Sequence, residues 1–196
     1  MSKLIHMFGK RPHARQFEEL VRPHLDHLYR VAYRFTGTVC DAEDLVQDLL
    51  LKLYPKLAEL TAVEQLRPWL ARALYYHAID VARRVKRSAL GNRTESNHGD
   101  DEGDPLDSLP GHGHDPEQLT EQSLTQARLQ AAFAFLSIEH RAVVAMHDIE
   151  GYSLDELAQL LDTPIGTLKS RLHRARAHLR SLLTMEPNVT RLRVNG

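Results

Sequence analysis

The sequence has one cysteine, Cys40, one tryptophan, Trp69, and only 6% aromatic residues in 196. A lone thiol excludes an internal disulfide framework and a paired-cysteine zinc site, and Cys40 reads as a small packed hydrophobe, with a reactive thiol as the alternative. No apolar run approaches the roughly 18 residues that span a bilayer. The basic start MSKLIHMFGKRPHAR lacks the apolar stretch of a secretory signal. A cytoplasmic protein is the expectation. No phosphate-cradling glycine loop, nucleophile elbow, buried acid pair or HExxH helix occurs, so no catalytic residue is expected. Twelve histidines raise a metal site as an alternative. His98, His112 and His114 nevertheless lie in a polar stretch far from the single cysteine, and neither metal nor cofactor is expected. No strand-like alternation of useful length appears. That excludes a βα receiver domain of the response-regulator kind.

What the chain does have is segregated charge. The net charge is −1, but residues 88–121 carry nine acids and one arginine, Arg93. Residues 164–180 carry five Lys/Arg and no acid, and Arg83, Arg84, Lys86 and Arg87 form a second basic cluster. Residues 91–117 combine Gly, Pro, Asp and Ser with almost no apolar periodicity. Such a segment cannot bury enough surface to offset its ordering entropy, so a flexible acidic linker over 89–119 is expected. The fold class expected is all-α, with two small helical modules at 15–88 and 120–183, between tails 1–14 and 184–196.

Apolar residues at three- and four-residue steps from Phe17 to Phe35 predict one helix of about five turns, ended by Thr36-Gly37. Asp41 reads as the N-cap of the next helix. There Ala42, Leu45, Val46, Leu49 and Leu53 form a buried stripe, and Pro55 stops it. The opposite face carries Asp44, Gln47, Asp48 and Leu51. A leucine among acids and an amide marks a partner site, or else is one of the single exposed leucines common on protein surfaces. A loop is expected around Leu60–Leu66, and Pro68 begins a helix to about Lys86.

The C-terminal stretch GYSLDELAQLLDTPIGTLKSRLHRARAHLR carries its own punctuation. Ser153 with Glu156 forms a capping box. Thr163 reads as an N-cap, with Pro164 at N1 of the following helix. Leu168, Leu172, Ala175 and Leu179 share one stripe. Thr167, Ser170, His173 and Arg174 face away, flanked by Lys169, Arg171 and Arg176. Hydroxyls and guanidiniums on one face suit base edges in a major groove, and flanking cations suit phosphates. The competing reading is a solvated helix in a bundle, but cap, turn and one-sided basic face coincide.

The runs GYSLDELAQLL and GTLKSRLHRAR resemble the −35-reading module of extracytoplasmic-function (ECF) sigma factors of the sigma-70 family, sigma region 4. LYRVAYRFTGTVCDAEDLVQDLLLKLY resembles the part of region 2 that docks on the polymerase clamp helices. RPWLARALYYHAIDVARRVKR resembles that family's −10-element helix. Its core stripe is expected at Leu70, Leu74, Ala78, Val81 and Val85, with Trp69 as a core anchor. The opposite face would present Arg72, Tyr75, Tyr76, Ile79, Arg83, Lys86 and Arg87 to melted single-stranded DNA, where rings stack on bases and cations follow phosphates. Three positions depart from the family pattern: Ser137 where proline is expected, Leu168 where valine is commoner, and Tyr76 where asparagine is usual. The resemblance implies RNA polymerase core enzyme and promoter DNA as partners. It also implies an anti-sigma factor able to hold the protein at the inner membrane until a signal releases it.

Overall fold

The structure, a computed structural model, describes residues 12–89 and 121–184, with side chains for 12–88 and 128–184. The acidic segment 91–117 and its histidines lie outside the described residues. Those described are helical, with no strand among them.

The N-terminal group contains α1 (Pro12–Val21), α2 (Leu25–Thr36), α3 (Val39–Leu53), the short α4 (Leu57–Thr61) and α5 (Leu66–Ala89). The five-turn helix expected over 17–35 is two helices joined by a 3-10 turn at Arg22–His24. Pro23 is the reason: it lacks an N–H and its ring clashes with the preceding turn, so the chain tightens there. Gly37 ends α2 as anticipated. It sits at φ 87°, and its N–H reaches the Tyr33 carbonyl at 2.8 Å. The cap of α3 is Thr38, whose hydroxyl accepts from the Asp41 N–H at 3.1 Å; Asp41 lies in the first turn instead. A short helix occupies part of the expected 60–66 loop, and α5 begins at Leu66, two residues before Pro68.

Helices α2, α3 and α5 pack on one another, and α1 lies against α4. Phe17, Leu28, Phe35, Leu70 and Leu74 are fully buried. Each contributes about 1.5–3 kcal/mol relative to exposure, and Leu74→Ala would cost roughly 2–5 kcal/mol. Trp69 packs half-buried against this core. Cys40, expected inside, is exposed in the first turn of α3, because the buried stripe of α3 begins only at Ala42.

The C-terminal group contains α6 (Glu121–Ala134), α7 (Ile138–Val144), a π-helical turn (Ala145–Ile149), α8 (Leu154–Leu160) and α9 (Ile165–Thr184). Ser137 caps α7 through the His140 N–H. Ser153 and Glu156 form the reciprocal capping box of α8, at 3.1 and 2.8 Å. Thr163 does not cap α9. Its hydroxyl donates back to the Leu161 carbonyl at 3.0 Å, inside a turn where Asp162 takes a left-handed φ of 47°, and α9 starts after Pro164. Leu168, Leu172, Ala175 and Leu179 are buried as a stripe against the other helices of the group.

Candidate nucleic-acid and polymerase interfaces

Helix α9 follows the α8 turn as the second element of a helix-turn-helix, and its outward face is polar. Lys169, Ser170, His173, Arg174 and Arg176 are exposed, while Thr167 and Arg171 are half-buried. The Ser170 hydroxyl bonds the Thr167 carbonyl at 2.9 Å, leaving its lone pairs outward. Arg176 is held by Asp148 of the π turn through two hydrogen bonds, its Nε lying 3.0 Å from Oδ2. That bidentate grip fixes a flanking guanidinium in place.

On α3 the placement agrees with the helical period. Asp44 and Asp48 are exposed, Gln47 is half-buried, and Leu51 is 49% exposed on the same outward face. Behind it, Lys52 Nζ lies 2.9 Å from Nδ1 of buried His77. Burial first, and Lys52 second, lower the His77 pKa, which leaves a neutral ring to accept that bond.

Helix α5 departs from expectation. Leu70, Leu74 and Ala78 are buried, but Val81 is half-buried and Val85 is 63% exposed, because no described helix covers that end of α5. Arg83, Lys86 and Arg87 there are exposed. On the face expected to be open, Tyr75 is 3% and Ile79 6% exposed. Arg72 is half-buried, with its guanidinium 5.6 Å from the centre of the exposed Tyr76 ring. What covers Tyr75 is the C-terminal group. Tyr76 Oη donates to the Leu161 carbonyl at 2.6 Å, and the Arg171 guanidinium lies near Tyr75.

That contact continues along α2 through Gln130, Arg141 and Glu150. Gln130 donates to the Gly37 carbonyl at 3.2 Å. Arg141 donates to the Phe35 carbonyl at 2.5 Å and to the Ala134 and Leu136 carbonyls at 3.0 Å each. Burial pulls its pKa down to about 10, so it remains charged at neutral pH. Glu150, with a side chain 7% exposed, pairs with Arg34 and lies 3.1 Å from Nδ1 of His27. Arg67 also reaches that nitrogen, at 3.2 Å. Nδ1 serves one partner at a time, donating to Glu150 as N–H or accepting from Arg67 as a lone pair. Burial, then Arg67, Arg30, Arg34 and His24, hold the His27 pKa down to about 4, so the ring is neutral at pH 7. The π turn carries Glu150 into this position: its N–H bonds the Ala145 carbonyl, five residues back, at 3.0 Å. A lone arginine inside the apolar run RAVVAM was the one available signal for Arg141. Glu150 had none.

No group of three or more potential metal ligands, and no helix long and apolar enough to cross a membrane, occurs among the described residues.

The family described as "Sigma-70 region 2" matches residues 20–88, and that described as "Sigma-70, region 4" matches residues 126–179. The chain is 35% identical over 179 residues to the ECF RNA polymerase sigma factor SigE of Mycolicibacterium smegmatis. That match takes in 89% of this chain and 64% of SigE's own length. It is 34% identical to the ECF RNA polymerase sigma factor SigL of Mycobacterium tuberculosis, over 86% of this chain and 88% of that relative. In structure it resembles the sigma factor RpoE, in complex with the anti-sigma factor NepR, from Bartonella quintana. There the TM-score is 0.60 at 26% identity, over 87% of this chain and 98% of the other. Both regions are matched in order on a helical frame whose second part ends in a capped helix-turn-helix, and the chain belongs to the ECF RNA polymerase sigma factors of the sigma-70 family.

Proposed function

We propose that this sigma factor divides promoter recognition among three helix faces. Helix α9 reads the −35 duplex from the major groove, with Thr167, Ser170 and Arg174 toward base edges. Lys169, Arg171 and Arg176 contact flanking phosphates. Helix α5 takes the melted −10 strand through Arg72, Tyr75, Tyr76, Arg83, Lys86 and Arg87. The Asp44, Gln47, Asp48 and Leu51 face of α3 docks on core polymerase. Residues 15–88 and 120–183 are the two working units, and the acidic segment between them is a tether. The protein works in the cytoplasm, catalyses no reaction itself, and is held inactive by an anti-sigma factor until a signal releases it.

The observation that carries this reading is α9: a helix entered through a capped helix-turn, apolar on one side and cationic with hydroxyls on the other. Its test is transcription of fragmented genomic DNA with purified core polymerase, sequencing the 5′ ends made with and without the protein. A set of start sites sharing upstream elements at fixed spacing is expected. Binding to duplex promoter DNA without polymerase, and no change in start sites with it, would mark a conventional regulator instead.

A further inference from the structure

Asp148 is an acid standing beside cations assigned above to DNA phosphates. It lies in the π turn after α7, and it faces α9. Its Oδ2 accepts from Arg176 Nε at 3.0 Å, and its Oδ1 accepts from Arg176 Nη2. Next to the pair, a cleft of about 390 Å³ opens between Leu154, the first residue of α8, and the side of α9. Lys169, His173, Arg176 and Arg180 line it, with Leu172 among its apolar parts. A carboxylate in this place opposes phosphate binding by its charge. Folding stability does not account for it, because the Arg176 and Asp148 side chains are 51% and 28% exposed, and ion pairs so open to water contribute little. The turn is already held by the Glu150 N–H on the Ala145 carbonyl and the Tyr152 N–H on the Met146 carbonyl, both at 3.0 Å. Helix α9 is held by its buried stripe. His147 is committed elsewhere: its Nδ1 donates to the Tyr152 carbonyl at 2.7 Å, and its Nε2 stands 3.9 Å from Asp148 Oδ1, beyond hydrogen-bond reach.

We infer that Asp148 is a positioning residue of the −35 reader: acting through Arg176, it holds that guanidinium for one phosphate in the correct register and withholds it from DNA in any other. The inference rests on reading α9 as the −35 helix. A side-on pair occupies the Nε and Nη2 edge of the guanidinium and leaves Nη1 uncommitted to Asp148. In register, the held cation meets its phosphate, and the carboxylate behind it costs little. Out of register, the fixed guanidinium misses, and the carboxylate cancels the attraction that a loose arginine would exert on any nearby phosphate. The pair thereby widens the contrast between promoter and other DNA, although neither member reads a base.

The test uses holoenzyme made from core polymerase and the full chain. Its DNA is a promoter from the start sites mapped above, and the same fragment with its −35 element scrambled and its −10 element intact. Asp148→Ala should bind the scrambled fragment roughly three- to tenfold more tightly and steepen its salt slope by about one unit, the order of one added phosphate contact. Affinity for the promoter should change little, so the preference between the two fragments falls. Asp148→Asn, which keeps the shape and removes the charge, should behave in the same way. In an Arg176→Ala background, Asp148→Ala should have no further effect on that preference. A merely structural role has the opposite sign. Unchanged or weaker binding of the scrambled fragment by Asp148→Ala therefore overturns the inference. A gain that persists in the Arg176→Ala background overturns it too, since Asp148 would then act as a bare charge. Circular dichroism identifies an alanine variant that fails to fold, and Asp148→Asn then decides. A parent holoenzyme with no preference for the promoter over the scrambled fragment overturns the α9 reading itself, and the inference with it.

Discussion

Replacing Arg141 by methionine keeps the length of the side chain and removes its donors. The guanidinium supports three carbonyls: Phe35 at the end of α2, and Ala134 and Leu136 in the turn between α6 and α7. A hydrogen bond from a charged donor contributes about 1.5–3 kcal/mol, so three contribute roughly 6 kcal/mol. Against this stands the cost of burying the charge. The pKa falls from 12.5 to about 10, which at about 1.4 kcal/mol per tenfold is roughly 3 kcal/mol. The net loss expected for Arg141→Met is therefore about 3 kcal/mol. Urea unfolding followed by two probes checks it. Trp69 is the only tryptophan and reports the N-terminal group, whereas circular dichroism reports all helices. The two transitions should coincide in the parent chain. In the variant the dichroism transition should shift to lower urea and begin before the tryptophan signal moves, because the C-terminal group loses both its turn and its anchor. A shift worth less than about 0.5 kcal/mol, the range of an ordinary surface substitution, would mean that water replaces Arg141 and would refute the reasoning.

In holoenzyme, Arg174→Ala should relax selectivity at one −35 position at a cost of about 1–3 kcal/mol on the best promoter. Arg176→Ala should keep the promoter ranking and lower the salt slope by about one unit, read from a −35 substitution panel at two salt concentrations; identical behaviour of the two would mean that α9 lies differently in the groove. Leu51→Asp should weaken core-polymerase binding while circular dichroism stays native, since the site is exposed; unchanged affinity removes that face from the proposal. Stability should fall on acidification from pH 6.5 down through about 4. The folded pKa of His27 lies below its unfolded value of 6.5, so the unfolded chain takes up the proton first. His24, His77 and His140 are lowered too and add to the slope. His27→Gln should flatten it by up to about 1.4 kcal/mol per pH unit, and an unchanged slope in melts at pH 7.5 and 5.5 would place the effect on the other histidines.

The sequence by itself determined the all-helical class, the stop at Gly37, the capping box at Ser153 and Glu156, and the buried stripes of α3 and α9. Those features depend on residues within a turn or two of each other, where periodicity and cap chemistry act directly. Local competition decided the near misses: Thr38 and Asp41 are both good caps three residues apart, and the α2 turn ends where Thr38 wins. Pro23 lay in plain view, and the apolar period around it masked the break. The fate of Tyr75, Ile79 and Val85 was not legible in the same way. Helical spacing says which residues share a face but not what covers that face, and a module more than thirty residues along the chain covers Tyr75. Arg141 and Glu150 belong to the same class, since their partners on α2 are 106 and 116 residues away. Only the tertiary structure could decide them, because a buried charge is tolerated solely where distant groups converge to pair with it.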